Sequence, residues 1–479
     1  MPPTPAEASG ERVLSLFHTR ARSFPAGPFI CAALVGLACS EAGDGDETTM
    51  AASAIRVSPA DQREFTELGD FLNGYWLRPI PAQGPAPEHF DTLAASLHPE
   101  TCGRCHPVQY EDWRTTIHSR AYSPGLSGQL VNWASDNPGT VQSCQVCHTP
   151  LSEQIAQLPG TDGEFVANPD FDSELRKQGL ICAACHVRGN RRYGPPQRDG
   201  SLQPSAPQGV HGGVTARTTF FEDSRFCATC HQFAAPAPNG KSLQNTHVEW
   251  EQSRYAAEGV PCQGCHMPDR RHLWRGIHDP DMVASGVTIE WIPTPRSDDP
   301  VGAAVELRLT NTGTGHHFPT YVTPEVVVEL WMEDESGLTL ADSETRSTIG
   351  RRVKFEGGQW VEVADTRIPA DSSHSVITST TGSATRARAR VTVHPDEFYR
   401  ETFEGMLGWS LSDTSRALIA EAHEEAASSP FVIFEEVFDL RSGRVLEEEV
   451  GPTAVDETDA VVSVAAALDV GAVARTSQP

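Results

Sequence analysis

Ten cysteines and five histidines of this chain share one repeated pattern, Cys-x-x-Cys-His. The two-residue gap places both thiols on the same turn, and an imidazole follows directly. Thiols at this spacing can add to the two vinyl groups of a porphyrin while the imidazole binds its iron from one side. The copies are Cys102, Cys105 and His106; Cys144, Cys147 and His148; Cys182, Cys185 and His186; Cys227, Cys230 and His231; and Cys262, Cys265 and His266. The pattern predicts five covalently attached haem c groups, with each motif histidine as an iron ligand.

Zinc binding and disulfide formation are the two other uses of paired cysteines. Structural zinc usually takes two Cys-x-x-Cys pairs per ion, so five pairs would leave one over. Zinc also gives no reason for a histidine after every second cysteine. A disulfide across two residues is more typical of a redox or ligand site than of a structural cross-link. Five copies of the full motif therefore favour haem over both alternatives.

Length and composition indicate how the motif-bearing part of the chain can fold. The sequence has 479 residues, enough for two or three domains. It holds 36 prolines and 39 glycines but few aromatic residues. About thirty residues per haem are too few for a conventional apolar core, so the macrocycles must supply it. We expect a multihaem cytochrome fold here, mainly irregular with short helices around stacked haems.

The charge of the chain constrains its partners. The formal net charge is −27 at pH 7. Residues 101–285 hold 16 Lys and Arg against 18 Asp and Glu, so most of the acidic excess lies outside the motifs. This balance disfavours nucleic acid. It favours redox proteins with basic docking surfaces, such as other cytochromes or a quinol-linked complex, and it leaves an oligomer compatible with the sequence.

The first 39 residues have the pattern of an export signal. Arg20 and Arg22 precede an apolar run over 29–38 that is too short to span a bilayer. The run ends in Gly-Leu-Ala-Cys, which resembles a lipoprotein processing site with Cys39 as the acylated residue. Plain cleavage to a soluble periplasmic protein is the alternative. Residues 40–57 are expected to form a flexible tether, and the predicted location is periplasmic or on the outer membrane or cell surface.

Residues 58–285 are predicted to form the pentahaem domain. Ser58 and Pro59 are typical of a helix start, and a short helix is expected to reach about residue 72. A proline-rich connector over residues 79–87 then leads into the first motif.

A weak internal repeat lies within this domain. Residues 110–121 (YEDWRTTIHSRA) resemble residues 247–257 (HVEWEQSRYAA), with Trp113 aligned to Trp250. The alignment pairs Tyr110 with His247 and His118 with Tyr255. Both segments are expected to be short amphipathic helices whose tryptophan packs on a haem face.

The pattern changes after about residue 285. Segments at 286–295, 302–311 and 323–333 alternate or run apolar with β-branched residues, which predicts short strands. We expect residues 286–450 to form an antiparallel β-sandwich-like domain with a late helix over 412–428. Residues 451–479 are acidic and rich in Ala and Val, and we interpret them as a mobile tail. The Gly-rich loop 311–320 (NTGTGHHFPT) is either a plain hairpin turn or a loop that reaches back to the last haem.

Residues 79–320 resemble exported multihaem c-type cytochromes, the family of the tetrahaem electron carrier of hydroxylamine oxidation. The resemblance covers about half of the chain. Its pieces are IPAQGPAP, the segment from Trp113 to His118, FCATCHQF, EWEQSRYAAEGVPCQGCHMP and TGHHFPT. The Cys motifs are generic to haem c, whereas the long segment ending in Cys-His-Met-Pro is more specific.

The resemblance implies distal iron ligands at His118 and His316. We add His211, His247 and His278 to complete a set of five, with His272 as the alternative to His278. Relatives often carry Tyr at the position of His247. Met267 and Met282 could also ligate, but Met267 follows its motif too closely to reach over the same haem.

Distal ligation decides between two functions. Two axial histidines block substrate access and favour electron transfer, whereas an open iron face favours catalysis. We expect haem-to-haem electron transfer between redox partners, with no catalytic residue. The alternative is a reductase that acts on a small nitrogen or sulfur oxyanion at one five-coordinate haem. A third interpretation makes the β-domain a docking module.

Overall fold

The structure is a computed structural model of the chain. It describes residues 68–134, 136–203, 211, 215–233, 241–293 and 303–446. The predicted export signal, the tether, the tail and most of the predicted helix at 58–72 lie outside these residues. Within the described ranges, no helix combines the length and the apolar character needed to cross a bilayer.

Short helices build residues 68–286, which we call the motif region. Prolines at the first helical positions start several of them, because the fixed φ of proline suits a helix start and the missing N–H would be unbonded there. The α-helices are α1 (Leu68–Tyr75), α2 (Thr92–Ala95), α3 (Pro99–Gly103), α4 (Pro107–Arg114), α5 (Pro124–Trp133), α6 (Pro138–His148), α7 (Ser173–Lys177), α8 (Cys182–His186), α9 (Ser224–His231), α10 (Thr246–Glu251), α11 (Arg254–Ala257), α12 (Cys262–His266) and α13 (Pro280–Gly286). Single 3₁₀ turns lie at His118–Arg120, Ser152–Gln154, Thr219–Glu222 and Pro268–Arg270.

Two small sheets complete the motif region. One is a hairpin of two strands, and the other has three strands of which the last pair is parallel. The strands are β1 (Gln157–Pro159), β2 (Phe165–Ala167), β3 (Val187–Arg188), β4 (Arg191–Gly194) and β5 (Thr215–Arg217). These strands are two to four residues long, so regular structure contributes little to this half of the molecule.

Residues 287–446, the C-terminal domain, hold two antiparallel sheets. The larger has the strand order β10-β9-β8-β12-β13-β14, and the smaller has the order β11-β7-β6. The strands are β6 (Val287–Pro293), β7 (Ala303–Asn311), β8 (Glu325–Glu333), β9 (Thr345–Glu356), β10 (Gln359–Asp365), β11 (Ser373–Thr380), β12 (Arg386–His394), β13 (Phe431–Asp439) and β14 (Arg444–Leu446). The two helices of the domain are α14 (Glu397–Leu407) and α15 (Asp413–Ala427).

The core of the C-terminal domain lies between the two sheets. Strand β12 alternates arginines that are not fully buried with buried Ala and Val, so one face is apolar, as expected for a half-buried strand. Val391 pairs with Val328 of β8, and Leu307 pairs with Val376 of β11. All four side chains belong to one buried cluster that spans both sheets. The arrangement is a sandwich, and the strands predicted at 286–295, 302–311 and 323–333 are confirmed to within about two residues.

Helices α14 and α15 join the C-terminal domain to the motif region. The predicted late helix is confirmed as α15, whose N-terminus is capped by Ser412. It packs on α5, where the Ser415 hydroxyl donates to the Gly128 carbonyl at 2.7 Å. Gly125 allows a close approach, because a Cβ there would come within 2.5 Å of the Phe403 ring. The helices therefore bury one face of the segment that precedes the second motif.

Candidate haem centres

Each Cys-x-x-Cys-His motif lies at or near the C-terminal end of a short helix. In the first motif the His106 amide donates to the Cys102 carbonyl at 2.9 Å, which is one helical turn. In the fourth motif, Asp223 caps the helix by accepting the Arg225 amide at 2.9 Å. All ten motif thiols are free, so none forms the disulfide weighed above. The local fold thus presents two thiols and an imidazole from one turn.

Four of the five motif histidines face a second histidine ring. The centroid separations are 5.7 Å for His106 and His211, 6.1 Å for His231 and His118, 6.2 Å for His186 and His272, and 6.4 Å for His266 and His316. The last pair is almost parallel, with 10° between the ring planes. In every pair, one ring comes from a motif and the other from a distant segment.

These separations suit an iron atom between two imidazoles. Two metal–nitrogen bonds of about 2 Å, with each nitrogen about 1 Å from its ring centroid, put the centroids about 6 Å apart. Ordinary ring stacking spans a similar range. Chance stacking, however, gives no reason for a motif histidine in all four pairs. The residues present therefore fit haem with two axial histidines at four positions.

Three of the motif imidazoles are partly buried and hydrogen-bonded in a way that suits metal ligands. Nδ1 lies 2.8 Å from the Ala121 carbonyl in His148, 2.8 Å from the Tyr193 carbonyl in His186 and 2.7 Å from the Arg275 carbonyl in His266. Such a bond fixes the ring and leaves Nε2 for the metal. Burial lowers the pKa of His186 to about 4, so this ring is neutral near pH 7, as ligation requires.

His148 of the second motif differs from the other four. Among the described residues, no second histidine ring is in contact with it at the separations found for the other motif histidines. Its Nδ1 is hydrogen-bonded to the Ala121 carbonyl. Burial lowers its pKa, as it does for the other buried motif rings.

Two of the predicted distal residues are not brought opposite a motif histidine. His278 Nε2 lies 2.9 and 3.0 Å from the carboxylate oxygens of Asp396. His247 packs against Trp250, with 5.4 Å between centroids, and its Nε2 is buried without a hydrogen-bond partner in the described part of the chain. His272, the alternative to His278, is the ring that faces the third motif.

The loop predicted to reach back to the last haem brings one of its histidines opposite the fifth motif. It follows β7, and its His316 faces His266. Asn311, fully buried, holds the loop by donating to the carbonyls of His316 at 2.8 Å and Ile368 at 2.9 Å. Gly315 suits a close approach, since a Cβ there would lie 3.0 Å from the Trp250 ring and the indole would have to shift.

Thiols of different motifs also approach one another. The Cys102 thiol lies close to that of Cys182, and this proximity lowers the pKa of Cys102 to about 7, so the first and third motifs are neighbours in space. Two further thiol pairs join the second motif to the fourth and the fourth to the fifth. They are Cys147 with Cys230 and Cys227 with Cys262. Neighbouring motifs in space are therefore not always neighbours in sequence.

The internal repeat of the sequence corresponds to two equivalent structural units. In the first unit, the Trp113 indole donates to the Leu180 carbonyl at 2.8 Å, two residues before the third motif. In the second, the Trp250 indole donates to the Val260 carbonyl at 3.0 Å, two residues before the fifth. Each tryptophan thus fixes the chain that enters a motif, and its packing on a haem face stays a prediction.

A carboxylate precedes each tryptophan and holds the segment with the facing histidine. Asp112 accepts the His272 amide at 2.9 Å and two bonds from the Arg271 guanidinium, at 2.5 and 2.7 Å. These bonds hold the pKa of Asp112 below its usual value. We name Asp112 and Trp113 the first carboxylate–tryptophan unit. The acidic residue before each aligned Trp is visible in the sequence, yet the repeat alone does not indicate its role.

Glu249 and Trp250 form the second carboxylate–tryptophan unit. Glu249 accepts the His317 amide at 3.3 Å, the Thr320 hydroxyl at 2.9 Å and the Arg367 guanidinium at 2.8 Å. Burial raises the pKa of Glu249, but Arg367 and His317 outweigh it, and the pKa is lowered overall. The arrangement repeats that of the first unit, with the partner arginine now supplied by the C-terminal domain.

The repeat also explains His247 and Tyr255. His247 takes the place of Tyr110, whose ring lies 5.9 Å from Trp113. Tyr255, aligned with His118, donates its hydroxyl to the Thr312 carbonyl at 2.8 Å. His247 therefore contacts the second unit, whereas Tyr255 bonds to the loop after β7.

Comparison with known proteins connects this geometry to a class of protein. The family model described as cytochrome c554 and c-prime matches residues 101–187, a stretch with three of the five motifs. No match was found among curated proteins.

One solved structure shares the fold over most of the chain. It is a penta-haem cytochrome c552 from Thermochromatium tepidum, at 15% identity and a TM-score of 0.52, covering 73% of this chain and all of that one. A protein of Bordetella pertussis described as ApaA covers 22% of this chain and 75% of its own, with 18% identity and a TM-score of 0.13. The family match and the first structure together support a multihaem c-type cytochrome.

Proposed function

We propose that this multihaem c-type cytochrome binds five haem c groups and transfers electrons between redox proteins. Haem c supplies a one-electron Fe(III)/Fe(II) couple when bound. The four facing histidine pairs carry the proposal, because an iron held between the two imidazoles of a pair would have no open position for a substrate. Ligation by all five motifs, at their ten cysteines and five histidines, is part of the proposal.

The proposed distal ligands follow from the ring pairs. We assign His211 to the first motif, His272 to the third, His118 to the fourth and His316 to the fifth. His272 replaces His278 in the predicted set, because His278 is bonded to an aspartate and faces no motif ring.

The thiol contacts support an order for electron movement that differs from sequence order. Cys102 and Cys182 link the first and third motifs, whereas Cys230 and Cys227 link the fourth to the second and fifth. We propose one group with two haems and another with three, with the fourth motif at the centre of the larger group.

Partners and location follow from composition and the N-terminal pattern. A net charge of −27 favours docking to basic redox proteins, with association that weakens as salt rises. Export to the periplasm or the cell surface, with lipid attachment at Cys39 or cleavage near it, suits covalent haem attachment. The oligomeric state is left open.

Mass spectrometry and electron paramagnetic resonance of the purified, exported protein test the proposal. We expect an added mass of five haem groups and four low-spin ferric signals from paired imidazoles. An added mass of fewer than five groups would contradict the cofactor count. Predominantly high-spin iron would contradict axial ligation by the four pairs.

A second function is favoured by one observation, the lack of a facing imidazole at His148 in the described part of the chain. A haem held by Cys144, Cys147 and His148 would have an open position, where a nitrogen or sulfur oxyanion could be reduced. Carbon monoxide binding to the reduced protein at one equivalent, together with its oxidation by nitrite or hydroxylamine within one turnover, supports this reductase. Reduced protein that is inert to both substrates leaves electron transfer as the function.

A further inference from the structure

Trp274 lies between two of the candidate haem centres. Its ring contacts His118, at 4.8 Å between centroids and 65° between planes, and His272, at 5.0 Å and 83°. Both contacts are edge-to-face, a favourable arrangement for aromatic rings. His118 faces His231 of the fourth motif, and His272 faces His186 of the third. One indole therefore touches the facing imidazole of two different centres, one in each of the two proposed groups.

His118 lacks the hydrogen bond that usually orients a metal-bound imidazole. Its Nδ1 is buried and has no hydrogen-bond partner within the described ranges. By contrast, Nδ1 lies 3.2 Å from the Thr215 hydroxyl in His211 and 2.9 Å from the His317 carbonyl in His316. Because such bonds normally fix ligand orientation, the ring of His118 must be held by packing. Trp274 supplies that packing.

Trp274 is itself held in place from several directions. Its amide donates to the His266 carbonyl at 2.9 Å, which ties it to the fifth motif. Its φ is +40°, a left-handed conformation that a tryptophan rarely adopts and that the surrounding contacts must maintain. Two residues earlier, Asp112 accepts the His272 amide, so the segment is also anchored to α4. A side chain fixed in this way can restrain the rings that it touches.

We propose that Trp274 is a positioning residue that orients the distal imidazoles of the third and fourth centres together. The redox properties of two irons, one in each group, then depend on a single side chain. This inference rests on the proposed axial ligation by His118 and His272. The indole makes no iron contact, and its effect acts through the two imidazole planes.

Two substitutions of Trp274 in the haem-loaded, full-length protein test this role. W274L removes the ring, and W274F keeps a smaller ring that can still pack edge-to-face. We expect W274L to shift the low-spin g-values and the midpoint potentials of two centres and to leave the other centres unchanged. The shift should be larger at the centre of His118, because the His272 ring keeps its own Nδ1 contact with the Arg270 carbonyl at 3.1 Å. W274F should shift the same two centres by less.

W409L is the matched control, since Trp409 lies in the turn between α14 and α15. It should leave every g-value and potential unchanged. Unchanged centres in W274L and W274F, a shift at one centre, or an equal shift at all centres would each overturn the inference. If W274L fails to take up five haems, W274F decides by the same criterion. A wild-type spectrum without low-spin signals would overturn the axial ligation itself, which separates that failure from failure of the Trp274 role.

Discussion

The two carboxylate–tryptophan units have the same structural role but pair with different arginines. In both, the indole holds the chain that enters a motif, and the carboxylate holds the segment with the facing histidine. Asp112 is paired with Arg271, which lies in the motif region and has 48% of its side chain exposed. Glu249 is paired with Arg367, which lies in the C-terminal domain and is fully buried.

The difference shows how the C-terminal domain relates to the motif region. Arg367 also binds Asp365, and Lys241 of the motif region binds Asp365 from the other side. The fully buried Arg351 of β9 donates to the Ser242 carbonyl. The domain that supplies the loop with His316 therefore also supplies the charges that fix it. These contacts join the C-terminal domain to the motif region beside the fifth motif.

Removal of the facing histidine that each unit holds in place is expected to have the largest effect, a change of iron spin state. H272A and H316A should each convert one low-spin iron to a high-spin iron that binds carbon monoxide, because no ligand remains at the sixth position. Resonance spectra and carbon monoxide titration measure both changes. H278A is the control and should keep the wild-type spectrum, since His278 is bonded to Asp396. A high-spin iron in H278A but not in H272A would reverse the assignment.

Replacement of the carboxylate should lower the free energy of unfolding more in the second unit than in the first. E249A takes from the buried Arg367 one of its two carboxylate partners and leaves Asp365, so it should cost about 3 kcal/mol, the lower end of the usual penalty for breaking a buried ion pair. D112A should cost about 1–3 kcal/mol, because water can reach Arg271. Denaturant unfolding of the haem-loaded variants gives the free energies.

E335A provides a control for the two carboxylates. Glu335 and Arg441 form an ion pair with 73% and 65% of their side chains exposed. Its loss should cost no more than about 1 kcal/mol. Equal losses for D112A and E249A would show that burial of the arginine does not distinguish the units.

Replacement of each tryptophan by phenylalanine should give a smaller difference in stability between the two units. W113F removes the donor to the Leu180 carbonyl at a site where Trp113 is 6% exposed, so the loss should be about 1–3 kcal/mol. W250F should lose about 1 kcal/mol, because Trp250 is only partly buried and its acceptor can be hydrated. The unfolding midpoints of both variants measure the difference. A greater loss in W250F would contradict the burial argument.

The smallest effect is expected from Asp365, on the way in which the unfolding free energy depends on acid pH. Burial raises its pKa, but the bonds to Arg367 and Lys241 outweigh this, and the pKa is lowered overall. A lowered folded-state pKa means that Asp365 stabilises the protein above its unfolded pKa of about 3.9. That stability is lost as pH falls through the folded value. In D365N, the unfolding free energy should depend less steeply on pH below about pH 4. A pH dependence equal to that of the wild type would count against the pairing of Asp365 with Arg367 and Lys241.

Much of the fold could be predicted because its signals are local. Cys-x-x-Cys-His is read within five residues, and the alternation of β12 is read within nine. The start of α15 follows from Ser412 and Asp413. These patterns need no knowledge of distant contacts.

The facing histidines could not all be predicted, because each pair joins distant segments. His272 lies six residues after the fifth motif and His278 twelve residues after it. No local feature of the sequence indicates which of the two is the ligand. What separates them is Asp112, about 160 residues earlier, which anchors His272 by its backbone. The aligned tryptophans indicated a repeat, but the role of the preceding carboxylate became visible only with its arginine.

The loop after β7 has a consequence for biogenesis. Under the proposed ligation, attachment at the fifth motif needs the chain only as far as His266, whereas the opposite ligand arrives with His316. Asn311 holds that ligand from the end of a strand, so the sandwich must close before the ring is in place. If the haem is attached before the chain beyond His266 has folded, the last iron would pass through a stage in which it is open to small molecules. Completion of the sandwich ends that stage.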